Sequence, residues 1–190
     1  MTAQMPDVVR YQDEEYVLVG VKGRGLFSPK DFGMTPVSVL TSCYRGYWTE
    51  YTCDGGELWL TEMTVSAQGN RYGEIGGVEP MVERVPPTAR YEGIRVASRF
   101  SGRLLIAKDL LPDQYVHMGF PKPAAYKTVI ELAVEDGRIV EEIDRSEHYA
   151  DIRKKMGGEK DAPADPADEN EIKRWIAERF SLEYEIGRDS

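Results

Sequence analysis

The chain has 190 residues, with 24 Lys+Arg against 33 Asp+Glu, two His and two Cys, for a formal charge of −9. A chain of this size buries a core large enough to fold without disulfides or metal. Its 41% hydrophobic and 30% charged residues exclude wholesale disorder. The acidic balance disfavours nucleic-acid binding, which draws on phosphate neutralisation by Lys and Arg, and favours a basic protein partner.

No apolar run approaches the roughly 20 residues that span a bilayer, and residues 1–10 lack a basic region followed by an apolar stretch. No membrane partner is therefore expected, and the expected compartment is cytoplasmic. Cys43 and Cys53 are too few for a secreted disulfide scaffold and are expected as thiols.

In chain order, Val8 to Gln12 and Tyr16 to Val19 read as two short strands joined by the acidic turn Asp13-Glu14-Glu15. The glycines and prolines from Gly20 to Pro36 indicate a long structured loop in which Leu26 and Phe27 plug the core, and Val37 to Leu40 begins another strand. Tyr47 to Cys53 and Glu57 to Val65 flank Asp54-Gly55-Gly56, the signature of a hairpin whose turn needs positive φ. Tyr126 to Val134 and Arg138 to Glu142 repeat the pattern around Glu135-Asp136-Gly137. The two hairpins superpose without a gap, though with few identities, so two generic hairpins describe them better than a duplication. Between them, Gly69 to Pro87 reads as an irregular excursion, and strand character returns at Ile94 to Ala97 and at Arg103 to Ala107.

Ser146 is placed to cap a helix with Tyr149, Ile152 and Met156 on one face and Gly157-Gly158 as its stop. After an exposed linker near 157–166, Asp165-Pro166 opens a second helix with the apolar stripe Ile172, Trp175, Ile176 and Phe180, and residues 182–186 alternate as a final edge strand. The expected architecture is α+β: a mainly antiparallel sheet built from hairpins, with two C-terminal amphipathic helices packed on it. Residues 1–190 form a single domain, with a β-rich body over 1–143 and a helical extension over 144–190.

Chemistry-bearing motifs are sparse. Gly20-Val21-Lys22-Gly23-Arg24-Gly25 follows a strand but matches neither dinucleotide nor P-loop spacing, so a plain turn is the better reading. Cys43 and His117 are the candidate catalytic pair, with Arg45 supplying a positive field to a thiolate; the bland alternative is a small buried Cys at a strand edge. A zinc site from Cys43, Cys53, His117 and His148 lacks the usual close ligand pairs, so neither metal nor cofactor is expected. Glu50, Glu62, Glu131 and Glu142 lie on the two hairpins, where solvated strand faces routinely carry carboxylates. Arg95, Arg99 and Arg103 recur every four residues within a basic stretch that also holds Arg84, Arg90 and Lys108. They make either a positive row for an anionic ligand or acidic patch, or a set of intramolecular pairs. Tyr115 and His117 open a ring-rich loop suited to recognition, and Tyr47 and Trp48 supply further aromatic anchors.

The segment Thr41-Ser42-Cys43-Tyr44-Arg45-Gly46-Tyr47, followed by Leu58-Trp59-Leu60, resembles one in an uncharacterised family of small bacterial proteins that carry T-A-C-W-R-G-Y there. Ser42 and Tyr44 depart from that pattern; Met118-Gly119-Phe120 and the stretch from Glu131 to Gly137 extend the resemblance. It implies a bacterial cytosolic β-rich protein in which the Arg45-Gly46 turn has a structural or binding role, and it brings no activity. The functional expectation is a non-enzymatic acidic protein-binding module of the immunity or inhibitor type. The alternative is a small enzyme or anionic-ligand protein using Cys43, Arg45 and His117.

Overall fold

Strand-forming residues with period-2 burial dominate the computed structural model, which describes residues 2–156 and 168–184. Among the described residues nine strands form: β1 (Val8–Tyr11), β2 (Glu14–Arg24), β3 (Tyr47–Asp54), β4 (Glu57–Val65), β5 (Met81–Arg84), β6 (Pro87–Ala97), β7 (Ser101–Leu110), β8 (Tyr126–Glu135) and β9 (Arg138–Asp144). Two short helices follow, α1 (Ser146–Met156) and α2 (Glu169–Arg179).

The expected α+β architecture is overturned. Strands dominate the described residues and seven of them close into a barrel. Around the ring the order is β1-β2-β7-β8-β9-β4-β3, with β3 returning to β1 in the parallel pairing Val8↔Glu50 to Arg10↔Thr52. A sheet that closes on itself buries its own inner face, so no helical layer is needed to cover it. The lumen is filled from the walls: Leu18 of β2, Tyr51 of β3, Leu58, Leu60 and Met63 of β4, Leu104 and Ile106 of β7 and Leu132 of β8 are fully buried in one apolar cluster, which Val9 of β1, Ile139 of β9 and Phe100 of the β6–β7 connection join. Leu26, Phe27, Phe32 and Met34 join that cluster from the loop after β2, as expected of Leu26 and Phe27.

The seam between β9 and β4 is narrow. One residue pair, Glu57↔Arg138, spans it, backed by Leu58 N–H donating to Gly137 O and Ile139 N–H to Gly56 O, both at 2.8 Å. Gly137 has φ +82°, and a Cβ there would lie 1.9 Å from Ser98 O, so only glycine fits this corner.

Local expectations are also corrected. The first turn is Gln12-Asp13, both at positive φ, rather than the acidic triplet. Gly20 to Arg24 continues β2 instead of opening a loop, because β7 pairs along it through Arg24↔Ser101. Gly23 faces Gly102 across this pair, and a Cβ on Gly23 would meet Ser101 O at 2.3 Å. The glycine run therefore serves backbone approach, not an anion. Val37 to Leu40 makes no strand; Val37 N–H donates to Ser66 O and neighbouring Pro36 forms an isolated bridge to Ala67. The excursion before Pro87 contains β5, which is exposed at all four positions and so carries no alternation to read.

Helix α1 lies outside the barrel. Asp144 accepts from Ser146 N–H at 2.8 Å at its start, the Ser146 hydroxyl and then its N–H hold the Asp144 carboxyl below its ordinary value, and Tyr149 joins an apolar patch with Val129 and Leu105. Helix α2 is capped by Asp168, whose side chain accepts from Asn170 N–H, and its end meets the loop at Gly119 and Phe120 through Phe120 N–H donating to Arg179 O at 2.9 Å. The expected linker near 157–166, the cap at Asp165-Pro166 and Ile186 of the last strand lie outside the described residues. Glu183 forms a single parallel bridge to Val21. Among the described residues no helix is long and apolar enough to cross a membrane.

Candidate functional site

Where β6 and β5 leave the barrel wall, the outer face of β3, β4, β6 and β5 forms a groove of about 380 Å³. Strand alternation places its lining: Trp48 and Glu50 from β3, Glu62 and Thr64 from β4, Thr88 and Arg90 from β6, and Glu83 from β5. Register aligns them in rows, with Trp48↔Thr64↔Arg90 crossing three strands, and with Glu50↔Glu62 and Thr88↔Glu83 as direct partners.

Glu50 opposite Glu62 is an unfavourable arrangement in a sheet, because like charges directly across a ladder repel. Two cations offset it: Arg10 donates to Glu50, and Arg90 approaches Glu62 at 3.4 Å while pairing more closely with Glu92 at 2.7 Å. Glu83 has no hydrogen bond or ion pair among the described residues and is exposed. With Arg10 on Glu50 and Arg90 near Glu62, Glu83 is the groove carboxylate without a cation among the described residues, beside the half-buried indole of Trp48. Carboxylates with an aromatic face receive an alkylammonium or guanidinium by ion pairing and cation–π contact.

The residues singled out from sequence are dispersed. Arg45 is locked inside the fold, its Nη1 and Nη2 donating to the two oxygens of Asp7 at 2.8 and 3.0 Å, with its guanidinium 4.9 Å from the Tyr47 ring centroid and 5.6 Å from that of Phe120. Asp7 also accepts from Thr49 N–H and Thr49 Oγ1, at 2.8 and 2.9 Å, so β3 is tied to the segment before β1. The Arg45-Gly46 turn is accordingly a structural clamp.

Cys43 is buried, its thiol donating to Tyr47 O at 3.4 Å; burial pushes its pKa up, opposed by Arg45. His117 is exposed and meets the edge of Tyr115, also exposed, at 5.3 Å between centroids. No hydrogen bond joins Cys43 to His117 among the described residues. Nor do three or more His, Cys, Asp or Glu among them gather as metal ligands.

The arginine row is broken by the chain reversal between β6 and β7. Arg95 pairs with Asp54 at 2.8 Å and covers the Trp59 ring at 4.4 Å, Arg99 sits exposed in the connection, and Arg103 donates to Glu131 at 2.6 Å and Glu141 at 3.2 Å. Glu131, buried at 2% exposure, also receives Arg145 at 3.3 Å and the Tyr184 hydroxyl at 3.4 Å. Arg95 and Arg103 thus take the intramolecular option left open by the sequence, Arg95 in an exposed pair and Arg103 on a buried carboxylate that must be paired.

Of the groove residues, the sequence marks Trp48 as an aromatic anchor and Glu50 and Glu62 as ordinary solvated carboxylates, and it gives Glu83 no motif. The usable signal for Glu83 was Met81-Val82-Glu83-Arg84 set between prolines. No family model matches the chain, and neither the curated proteins nor the solved structures contain a significant match to it.

Proposed function

We propose that the protein is a non-enzymatic binding module that recognises a basic protein partner through the groove of Trp48, Glu50, Glu62 and Glu83. The carrying observation is Glu83, without a cation among the described residues, set beside the ladder pair Glu50 and Glu62, whose Arg10 and Arg90 leave none over for it; a cationic side chain relieves it. The overall charge of −9 acts in the same direction, since complementary charge speeds encounter. An immunity or inhibitor role against a basic toxin is the setting this chemistry suits. The filled lumen supports surface recognition over carriage of a ligand inside the barrel.

The test is affinity capture from native lysate at two salt concentrations, comparing wild type with Glu62→Lys/Glu83→Lys and with Arg95→Glu as an off-site control. The expected result is a stoichiometric basic protein, released by salt, lost in the double variant and retained in the control. Capture that ignores the double variant, or the absence of any basic protein, overturns the reading.

A further inference from the structure

Strand β5 pairs with β6 through Met81↔Arg90, Val82↔Ala89, Glu83↔Thr88 and Arg84↔Pro87, and with no other strand among the described residues. Its second edge is a row of open backbone donors and acceptors, the kind that templates another strand unless blunted. Apolar side chains accompany it: Met81 and Val82 are 54% and 55% exposed and Val85 is 91% exposed. Pro80 and Pro86 have no N–H and bound the open edge to about four residues.

Side chains alternate along this edge. Glu83 lies on the groove face with its partner Thr88, and Met81 shares that face with Arg90, while Val82 and Arg84 point to the other side. Arg90 is occupied by Glu62 and Glu92, and Glu83 has no cation partner among the described residues. A strand added at β5 brings the residue opposite Glu83 onto the groove face, with Cβ atoms about 5 Å apart. A basic residue there pairs with Glu83, and an apolar residue on the opposite face covers Val82. A second copy of this chain fits less well, because it brings another charge of −9 to the contact.

We infer that the open edge of β5 takes an extended segment of the partner as an added strand, with basic side chains on the groove face and apolar side chains against Val82. This rests on the basic-partner reading above and specifies the conformation in which the partner is held. Main-chain bonds then supply affinity, and the alternating side chains supply selection.

The probe is the acetylated and amidated peptide Val-Lys-Val-Lys-Val-Lys-Val, compared with the same sequence N-methylated at every residue, which keeps the charge and side chains but removes every backbone donor. The unmethylated peptide is expected to bind at least tenfold more tightly and to slow amide exchange at Met81–Arg84. Glu83→Lys, at an exposed site that the fold does not depend on, is expected to weaken it at least tenfold and to favour the corresponding Glu-Val peptide. Equal binding of the two peptides overturns strand addition and leaves recognition by the acidic groove standing. Binding of neither overturns both. Protection of Met81–Arg84 that rises with protein concentration in the absence of peptide assigns the edge to a second copy and overturns the inference.

Discussion

Replacing Asp7 by Asn tests whether the Arg45 clamp holds the barrel together. Asp7 is 5% exposed and accepts four hydrogen bonds, two from Arg45 and two from Thr49. Asn keeps the shape but removes the charge and presents a donor to groups that are themselves donors. The Arg45 guanidinium then stays between the rings of Tyr47 and Phe120 without its counter-charge.

Breaking one side of a buried pair costs about 3–5 kcal/mol; the Arg45 side chain is 27% exposed, so water screens part of the loss and the lower end, about 3 kcal/mol, applies. At about 2–4 °C per kcal/mol for a domain of this size, the melting temperature falls by about 6–12 °C. Urea unfolding of Asp7→Asn, Arg45→Met and the double variant gives the coupling directly. Arg45→Met should cost at least about 1.5 kcal/mol less in the Asp7→Asn background than in wild type. A coupling below about 0.5 kcal/mol refutes the reasoning and makes Arg45 a solvated side chain.

Other expectations concern the seam, the lumen and the thiols. Gly137→Ala should destabilise by at least about 2 kcal/mol in urea titrations, because a positive φ and a contact with Ser98 O act together; a loss below about 0.5 kcal/mol, the level of a neutral surface change, removes the seam from the account. Leu60→Ala, at a position with no exposure, should cost about 2–5 kcal/mol, whereas a hollow barrel would absorb it with little change. Iodoacetamide at pH 8 should label Cys43 and Cys53 slowly in the folded protein and fully in urea, since burial raises both thiols, that of Cys53 to about 12. Fast labelling of Cys43 would reinstate an activated thiolate. The Cys53 thiol keeps its proton longer when folded than when unfolded. Its stabilising contribution is therefore complete below about pH 9 and is lost as pH rises toward about 12; a Cys53→Ser variant should show a shallower alkaline decline.

Hairpins were legible because their cause is local. Asp54-Gly55-Gly56 and Asp136-Gly137 carry the turn residues themselves, and both turns have positive φ at their two central positions, as the type I′ geometry requires. Helix α1 begins where Ser146 marks it, but the cap is not the expected Ser146 side chain: Asp144 accepts from Ser146 N–H, while Ser146 Oγ accepts from Val129 N–H of β8. Strand β5 escaped because a strand exposed on both faces has no period-2 signature. Spacing by four makes Arg95, Arg99 and Arg103 a row only within one element; the reversal between Ala97 and Ser101 leaves Arg95 on β6, Arg99 in the connection and Arg103 on β7. For the groove, individual carboxylates were visible in the sequence, but nothing in their spacing shows that Glu50 faces Glu62 or that Glu83 is brought to the same surface.

Alternating hydrophobicity and turn glycines determined by themselves that the chain is β-rich and hairpin-built, since each property is carried by neighbouring residues. Closure was decided only by tertiary structure. The parallel pairing of β1 with β3, the corner at Gly137 and the Asp7–Arg45 clamp join residues separated by about 40 positions or more in sequence. The reward for such contacts is the burial of a shared lumen, a quantity that exists only once all seven walls are in place.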